Sequence, residues 1–137
     1  MFKKIMVPVD LAHADKLKRA LDVAADLSKH YGASAHLVGV TAPQPSAVAH
    51  NPKEFVSKLE SFAAKEGEAR NAAFKTKAVT SHDPATDLDE TLQTASHELG
   101  ADLVVMASHV PGFAEHVIGS NAGYLASHSD LSIMVVR

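Results

Sequence analysis

Two short stretches of this chain hold residue types that ligand chemistry needs. Asp10 ends the apolar run Ile5-Met6-Val7-Pro8-Val9. A carboxylate there can accept hydrogen bonds from a ligand hydroxyl or amine, or hold a metal. Aspartate is equally a preferred helix N-cap, so both roles stay open on position alone. Near the other end, Gly119-Ser120-Asn121 reads as the opening of the last helix. An exposed helix N-terminus offers unpaired N–H groups and the positive end of the dipole, which favour an anion such as phosphate. Gly119 allows close backbone approach and Ser120 adds a hydroxyl. Ser and Asn also cap helices that bind nothing, so the tripeptide fits a phosphate seat or a plain helix start.

Other chemistry is thinly supported. The histidines are scattered at His13, His30, His36, His50, His82, His97, His109, His116 and His128. None forms a His-x-x-x-His or Glu-x-x-His pair, and there is no cysteine, so no metal site is expected. His109 stands apart because it follows a buried strand. No Gly-x-x-x-x-Gly-Lys-[Ser/Thr] loop, Gly-x-Gly-x-x-Gly or Gly-x-Ser-x-Gly occurs. A response-regulator receiver would need an aspartate after the third strand and a lysine after the fifth, where Val79-Thr80 and Arg137 stand. No nucleophile and base pair is recognisable, so no catalytic residue is assigned.

The elements that must position these residues are legible in order. Ile5 to Val9 is a short apolar strand buried on both faces. Leu17, Ala20, Leu21, Ala24, Leu27 and Tyr31 recur at helical spacing, with Gly32 where a left-handed C-cap belongs. Ala35 to Val40 is a second strand, broken by Pro43-Gln44-Pro45-Ser46. Asn51-Pro52-Lys53-Glu54 starts a second helix, with the stripe Phe55, Leu59, Phe62 and Ala63, ending near residues 69–71. Phe74 to Thr80 is a third strand, less buried than the others. Asp83-Pro84 caps a third helix carrying Leu88, Leu92, Ala95 and Leu99 and ended by Gly100. Asp102 to Ala107 is a fourth strand. A last helix from Gly119 or Ser120 to about Ser127 precedes the strand Ile133 to Val136.

This alternation predicts an α/β fold: five parallel strands with helices on both faces, an open three-layer sandwich joined by right-handed crossovers. At 137 residues and 46% hydrophobic content, one domain spanning 1–137 is expected. No apolar run reaches the ~20 residues of a membrane span, and the first residues lack a signal-peptide pattern, so a soluble cytoplasmic protein is expected. A net charge of −3 and 5% aromatic residues argue against a nucleic-acid surface. In such sheets ligands sit beyond the carboxyl ends of the strands where strand order reverses, which directs attention to Asp10, Thr41, Ala107 to His109 and the turn into the last helix.

Taken together, Val7-Pro8-Val9-Asp10, the stretch DLVVMASH at 102–109 and IGSNAGYLASHSDLSIMVVR at 118–137 resemble the universal stress protein family along the whole chain. The resemblance implies an adenine nucleotide alpha hydrolase-like fold and ATP binding through Gly-x2-Gly-x9-Gly-[Ser/Thr]. Gly119-Ser120 matches the end of that pattern, whereas Ala107 and Val110 replace its first two glycines and the spacer is one residue short. The variant formed by Ala107-Ser108-His109-Val110-Pro111 and Gly119-Ser120-Asn121-Ala122 is similar to a small bacterial branch, the F and G type, which keeps adenine-nucleotide binding.

By that resemblance Pro8, Val9 and Asp10 flank the adenine and ribose, with Asp10 accepting from ribose hydroxyls, and Val40 presents backbone groups to the base. Ala107, Ser108 and His109 line the phosphate path, and Gly119, Ser120 and Asn121 cradle the phosphates. With no Lys or Arg near this loop, ATP, ADP or AMP would rely on the helix terminus and on Mg2+. Binding without efficient hydrolysis is implied. The family's dimers imply a homodimer paired through Ile133 to Val136, the other reading being an edge covered by the first or last helix. Three functions are thus in view: a dimeric nucleotide-binding stress-response regulator, an interaction module of the same fold acting through its dimer surface, or a slow ATPase or phosphotransferase, whose base only His109 or Asp10 could supply.

Overall fold

The computed structural model describes the backbone of residues 1–108 and 115–137, with side chains except those of residues 85 and 115–121. Among the described residues the chain runs β1 (Lys4–Val9), a 3₁₀ segment (Leu11–Lys16), α1 (Lys18–Tyr31), β2 (Ser34–Thr41), α2 (Pro52–Arg70), β3 (Phe74–Thr80), α3 (Pro84–Leu99), β4 (Leu103–Ala107), α4 (Glu115–His128) and β5 (Ser132–Val136). All pairings are parallel, in the order β3-β2-β1-β4-β5. The expected five-stranded α/β sandwich is therefore the fold.

Side-chain alternation along the strands feeds two cores. Ile5, Val7 and Val9 of β1 pack with Leu21 and Ala24 of α1 and Phe55 and Leu59 of α2 on one face. Met6 packs with Leu92 and Ala95 of α3 and Ala122 and Leu125 of α4 on the other. Every residue of β4 is buried, whereas β3 lies at an edge and is mostly half-buried.

The expected caps form. Gly32 and Gly100 close α1 and α3 at φ 64° and 67°. Asn51 Oδ1 accepts from Glu54 N at 2.8 Å with Pro52 in the first turn. Two features differ from expectation. The 3₁₀ segment after β1 was not anticipated, because its residues carry no apolar periodicity. α4 begins at Glu115, not at Gly119 or Ser120, so the backbone of Gly119-Ser120-Asn121 lies inside the helix.

Long-range polar contacts tie the layers. The Asp102 carboxylate accepts from Lys3 N at 2.9 Å and Lys4 N at 3.1 Å, clipping β1 to the start of β4. The Arg70 side chain, only 10% exposed, donates through Nε to Asp22 at 2.8 Å and through Nη1 to Glu66 at 2.6 Å, joining α1 to α2. Lys18 and Arg70 hold the Asp22 carboxyl below its usual range. On the opposite face, Gln93 Nε2 donates to the His128 carbonyl at 2.7 Å, and Tyr124 stacks on His128 with centroids 4.2 Å apart.

Gly67 lies inside α2, where alanine normally stabilises by about 1 kcal/mol. Here a Cβ would overlap the backbone carbonyl of Ala72, which has no flexible end to yield. Gly67→Ala is expected to lose roughly 1–3 kcal/mol in urea denaturation, reversing the sign of the helix preference. His36 sits on β2 beside Lys4 and Lys75. Burial, then the two ammonium charges, lowers its pKa from the ordinary 6.5. As pH falls below 6.5 the unfolded chain takes up a proton that the folded one resists, so stability present above 6.5 is lost on acidification. Between pH 7 and 5, His36→Gln should show a shallower loss of midpoint than wild type.

Candidate functional site

A cleft of about 550 Å³ opens at the carboxyl end of the sheet. Its position follows from strand order. β2 lies on one side of β1 and β4 on the other, so the crossovers leave in opposite directions at the β1/β4 junction. β1 and β4 are in register only at Ile5↔Leu103 and Met6↔Val104, while β1 stays paired with β2 as far as Val9↔Gly39. Beyond Met6 and Val104 the two strands part, and the cleft occupies the gap.

The lining is mostly apolar. Val38, Val40, Leu88, Leu92 and Met106 come from the core packed against α3 and α4, Phe55, Val9 and Ala107 from the core on the other face, and Pro8 and Asp10 complete the lining. Gly39 lets the Phe55 ring approach the sheet: a Cβ there would stand 2.7 Å from Phe55 Cζ. The loop after β2 closes one wall and is organised by Ser46, whose hydroxyl oxygen accepts from Val48 N at 3.2 Å and Ala49 N at 3.3 Å. Glu54 holds the loop's far end by accepting from His50 N at 3.2 Å and pairing with Lys58 at 3.2 Å. Those donors, the His50 N–H first, hold the Glu54 carboxyl below its usual range.

Asp10 takes the capping role that position allowed. Its Oδ1 accepts from Ala12 N at 3.0 Å, and its Oδ2 lies 3.0 Å from His13 Nδ1. An ionised carboxylate offers about four acceptor sites, so capping leaves capacity for a ligand hydroxyl at the mouth. Asp83 does the same for α3, with Oδ1 accepting from Thr86 N at 3.3 Å and Oδ2 from the Thr86 hydroxyl at 2.8 Å.

Of the residues singled out in the sequence, Pro8, Val9, Asp10, Val40 and Ala107 meet in this cleft. Ser108 does not line it; its N–H donates to the Val136 carbonyl at 2.9 Å and prolongs the β4–β5 ladder. His109 lies outside the described residues, as do the side chains of Gly119, Ser120 and Asn121. Inside a helix that starts at Glu115, the N–H groups of those three are directed to carbonyls one turn back. Sequence reasoning missed the floor formed by Val38, Leu88, Leu92 and Met106, whose spacing marked them as core. It also missed His82 and Asp83, although they follow β3 as Asp10 follows β1. Among the described residues no group of three or more His, Cys, Asp or Glu could hold a metal ion, and no helix is long and apolar enough to cross a membrane.

Comparison with known proteins places these features. The model of the Universal stress protein family matches residues 1–137. Universal stress protein G of Shigella flexneri is 28% identical over 143 residues, with both chains covered entirely. A crystal structure of a universal stress protein in complex with cAMP matches with a TM-score of 0.71 at 19% identity, over 99% of this chain and 97% of that one. The universal stress protein from Archaeoglobus fulgidus in complex with dAMP matches with a TM-score of 0.65 at 16% identity, over 98% of each chain.

The cap at Asp10 is separable from its charge. Asp10→Asn should fold with near wild-type stability, whereas Asp10→Ala, leaving Ala12 N–H without its acceptor, should lose about 1 kcal/mol in thermal or urea unfolding.

Proposed function

The chain belongs to the universal stress protein family, and from that premise we propose that it binds an adenine nucleotide in the cleft at the carboxyl edge of its sheet. The observation that carries this reading is the cleft itself: about 550 Å³, apolar in its depth, with the Asp10 carboxylate at its mouth. That volume lies within the ~300–1,000 Å³ of small-molecule sites, and a few polar groups on an apolar wall suit a flat base attached to a sugar. The complexes of relatives with cAMP and dAMP support the ligand class.

In this reading the base lies against Val40 and the neighbouring apolar wall, and Pro8 and Val9 shape the entrance. Asp10 accepts from the ribose hydroxyls while retaining its bond from Ala12 N. Phosphates extend past Ala107 toward Ser108, His109, Gly119, Ser120 and Asn121. ATP would bring Mg2+, which neutralises phosphate charge; no described group of residues is placed to hold that ion on the protein. The Asp10–His13 pair leaves the imidazole off the cleft wall. The sequence offers no recognisable nucleophile and base pair, and we propose occupancy without efficient turnover.

Dimerisation is the second half of the proposal. β5 is an edge strand, and its Met134 and Val135 are 40% and 44% exposed. Pairing Ile133 to Val136 with a second copy across a two-fold axis would cover them. The protein would then act in the cytoplasm as a dimeric stress-response regulator whose occupancy alters its stability or partner contacts.

Protein purified without added nucleotide, denatured and analysed by chromatography and mass spectrometry should release an adenine nucleotide. If it is isolated empty, an adenine nucleotide at about a hundred times its Kd should stabilise it by about 2.7 kcal/mol. Asp10→Ala should weaken binding roughly tenfold or more, as expected for losing a hydrogen bond to a charged group. An empty protein that gains no stability would overturn the reading. In sedimentation, wild type should be a dimer and the Met134→Lys, Val135→Lys double variant a monomer; a monomeric wild type would refute the dimer.

A further inference from the structure

Lysine and arginine are unevenly distributed along the chain. Twelve of the thirteen lie at or before Lys77, and none occurs from residue 78 to residue 136, a span holding eight Asp and Glu residues. α3, β4 and α4 all come from that span, and α3 and β4 form one side of the cleft. Its described lining includes the carboxylates of Asp10 and Asp83, the imidazole of His82, and no Lys or Arg. Lys16 and Lys58 belong to flanking elements and face Asp15 at 3.6 Å and Glu54 at 3.2 Å; Lys58 also donates to the carbonyl of the lining residue Val48, but neither these two side chains nor Lys53 line the cleft.

One backbone donor at each of two helical starts beside the cleft is also engaged. Two segments begin at its wall, the 3₁₀ segment after Asp10 and α3 after Asp83. In each, a free N–H that could have received a phosphate oxygen is taken by the protein's own carboxylate: Ala12 N at 3.0 Å by Asp10, and Thr86 N at 3.3 Å by Asp83. A phosphate approaching either start meets a negative charge where a bare helix terminus would attract it.

We propose that the cleft selects adenine ligands by low charge, binding adenosine and its monophosphates more tightly than ATP. This rests on the reading of the cleft as an adenine-nucleotide site and deepens it. The base and ribose supply the favourable contacts, apolar burial and the Asp10 hydrogen bonds. Each further phosphate adds about one negative charge to a cleft whose described lining holds two aspartates and no lysine or arginine. Such repulsion is screened by salt, so affinity for the triphosphate rises with ionic strength. A nucleotide site lined with Lys and Arg behaves in the opposite way.

The test is isothermal titration of the full chain with adenosine, AMP, cAMP, ADP and ATP. Chelator is present to remove divalent ions, and NaCl is set at 0.05 M and 0.5 M on the scale where screening changes. AMP is expected to bind about tenfold more tightly than ATP at low salt, and high salt should narrow the gap by strengthening ATP binding. Asp83→Asn keeps the α3 cap, since Asn and Asp cap about equally well, and removes one charge. It should strengthen ATP binding roughly threefold and AMP binding less. Binding of none of the five compounds overturns the nucleotide reading and this inference with it. ATP binding as tightly as AMP, with affinity that falls as salt is added and does not respond to Asp83→Asn, overturns the charge selection alone.

Discussion

The pairing of β1 with β4 is the contact on which the rest of this molecule turns. It joins the first half of the chain to the second, yet its register covers only Ile5↔Leu103 and Met6↔Val104. Asp102 reinforces the amino end by accepting from both Lys3 N and Lys4 N. No such side-chain clip ties the carboxyl ends among the described residues, where Val9 and Ala107 both line the cleft. A tight junction at one end and an open one at the other convert strand order into a binding cleft.

The aspartates at the cleft show how one residue type can settle two matters together. Asp10 and Asp83 are needed locally, because each starts a helical segment with unpaired N–H groups. Meeting that need puts negative charge on the rim of a cavity whose depth is apolar. The electrostatic character of the cleft rim thus arises from capping.

The fold was legible because its signals are local. Gly32 and Gly100 mark helix ends by their left-handed backbone, and Asn51-Pro52 and Asp83-Pro84 mark starts by cap chemistry. The start of α4 was misplaced for the same reason. Gly119-Ser120-Asn121 has cap-like composition, but the helix already begins at Glu115, and composition alone does not say how far a helix reaches upstream. Asp10, Thr41 and Ala107 were named by the rule that ligands sit beyond strand ends, Pro8, Val9 and Val40 by the family resemblance, and all six line the cleft. The remainder depended on distance in sequence. Asp102 bonds residues 98 and 99 positions away, and Arg70 reaches Asp22 across 48. No local pattern encodes such contacts. Leu88, Leu92 and Met106 looked like ordinary core because the cleft floor is the core surface seen from outside.

The two helix layers also differ mechanically. α1 and α2 are bolted together at the Arg70 guanidinium, which holds Asp22 and Glu66 with little exposure, while Lys29 donates to the Arg70 carbonyl. Among the described residues α3 and α4 meet through Gln93, which donates to the His128 carbonyl, and through the polar neighbourhood of His128, on which Tyr124 stacks. α3 also supplies Pro84, Leu88 and Leu92 to the cleft wall. The cleft therefore borders helices of both layers, Phe55 of α2 and Pro84, Leu88 and Leu92 of α3, so whatever fills it would bridge the ion-paired layer and the other one.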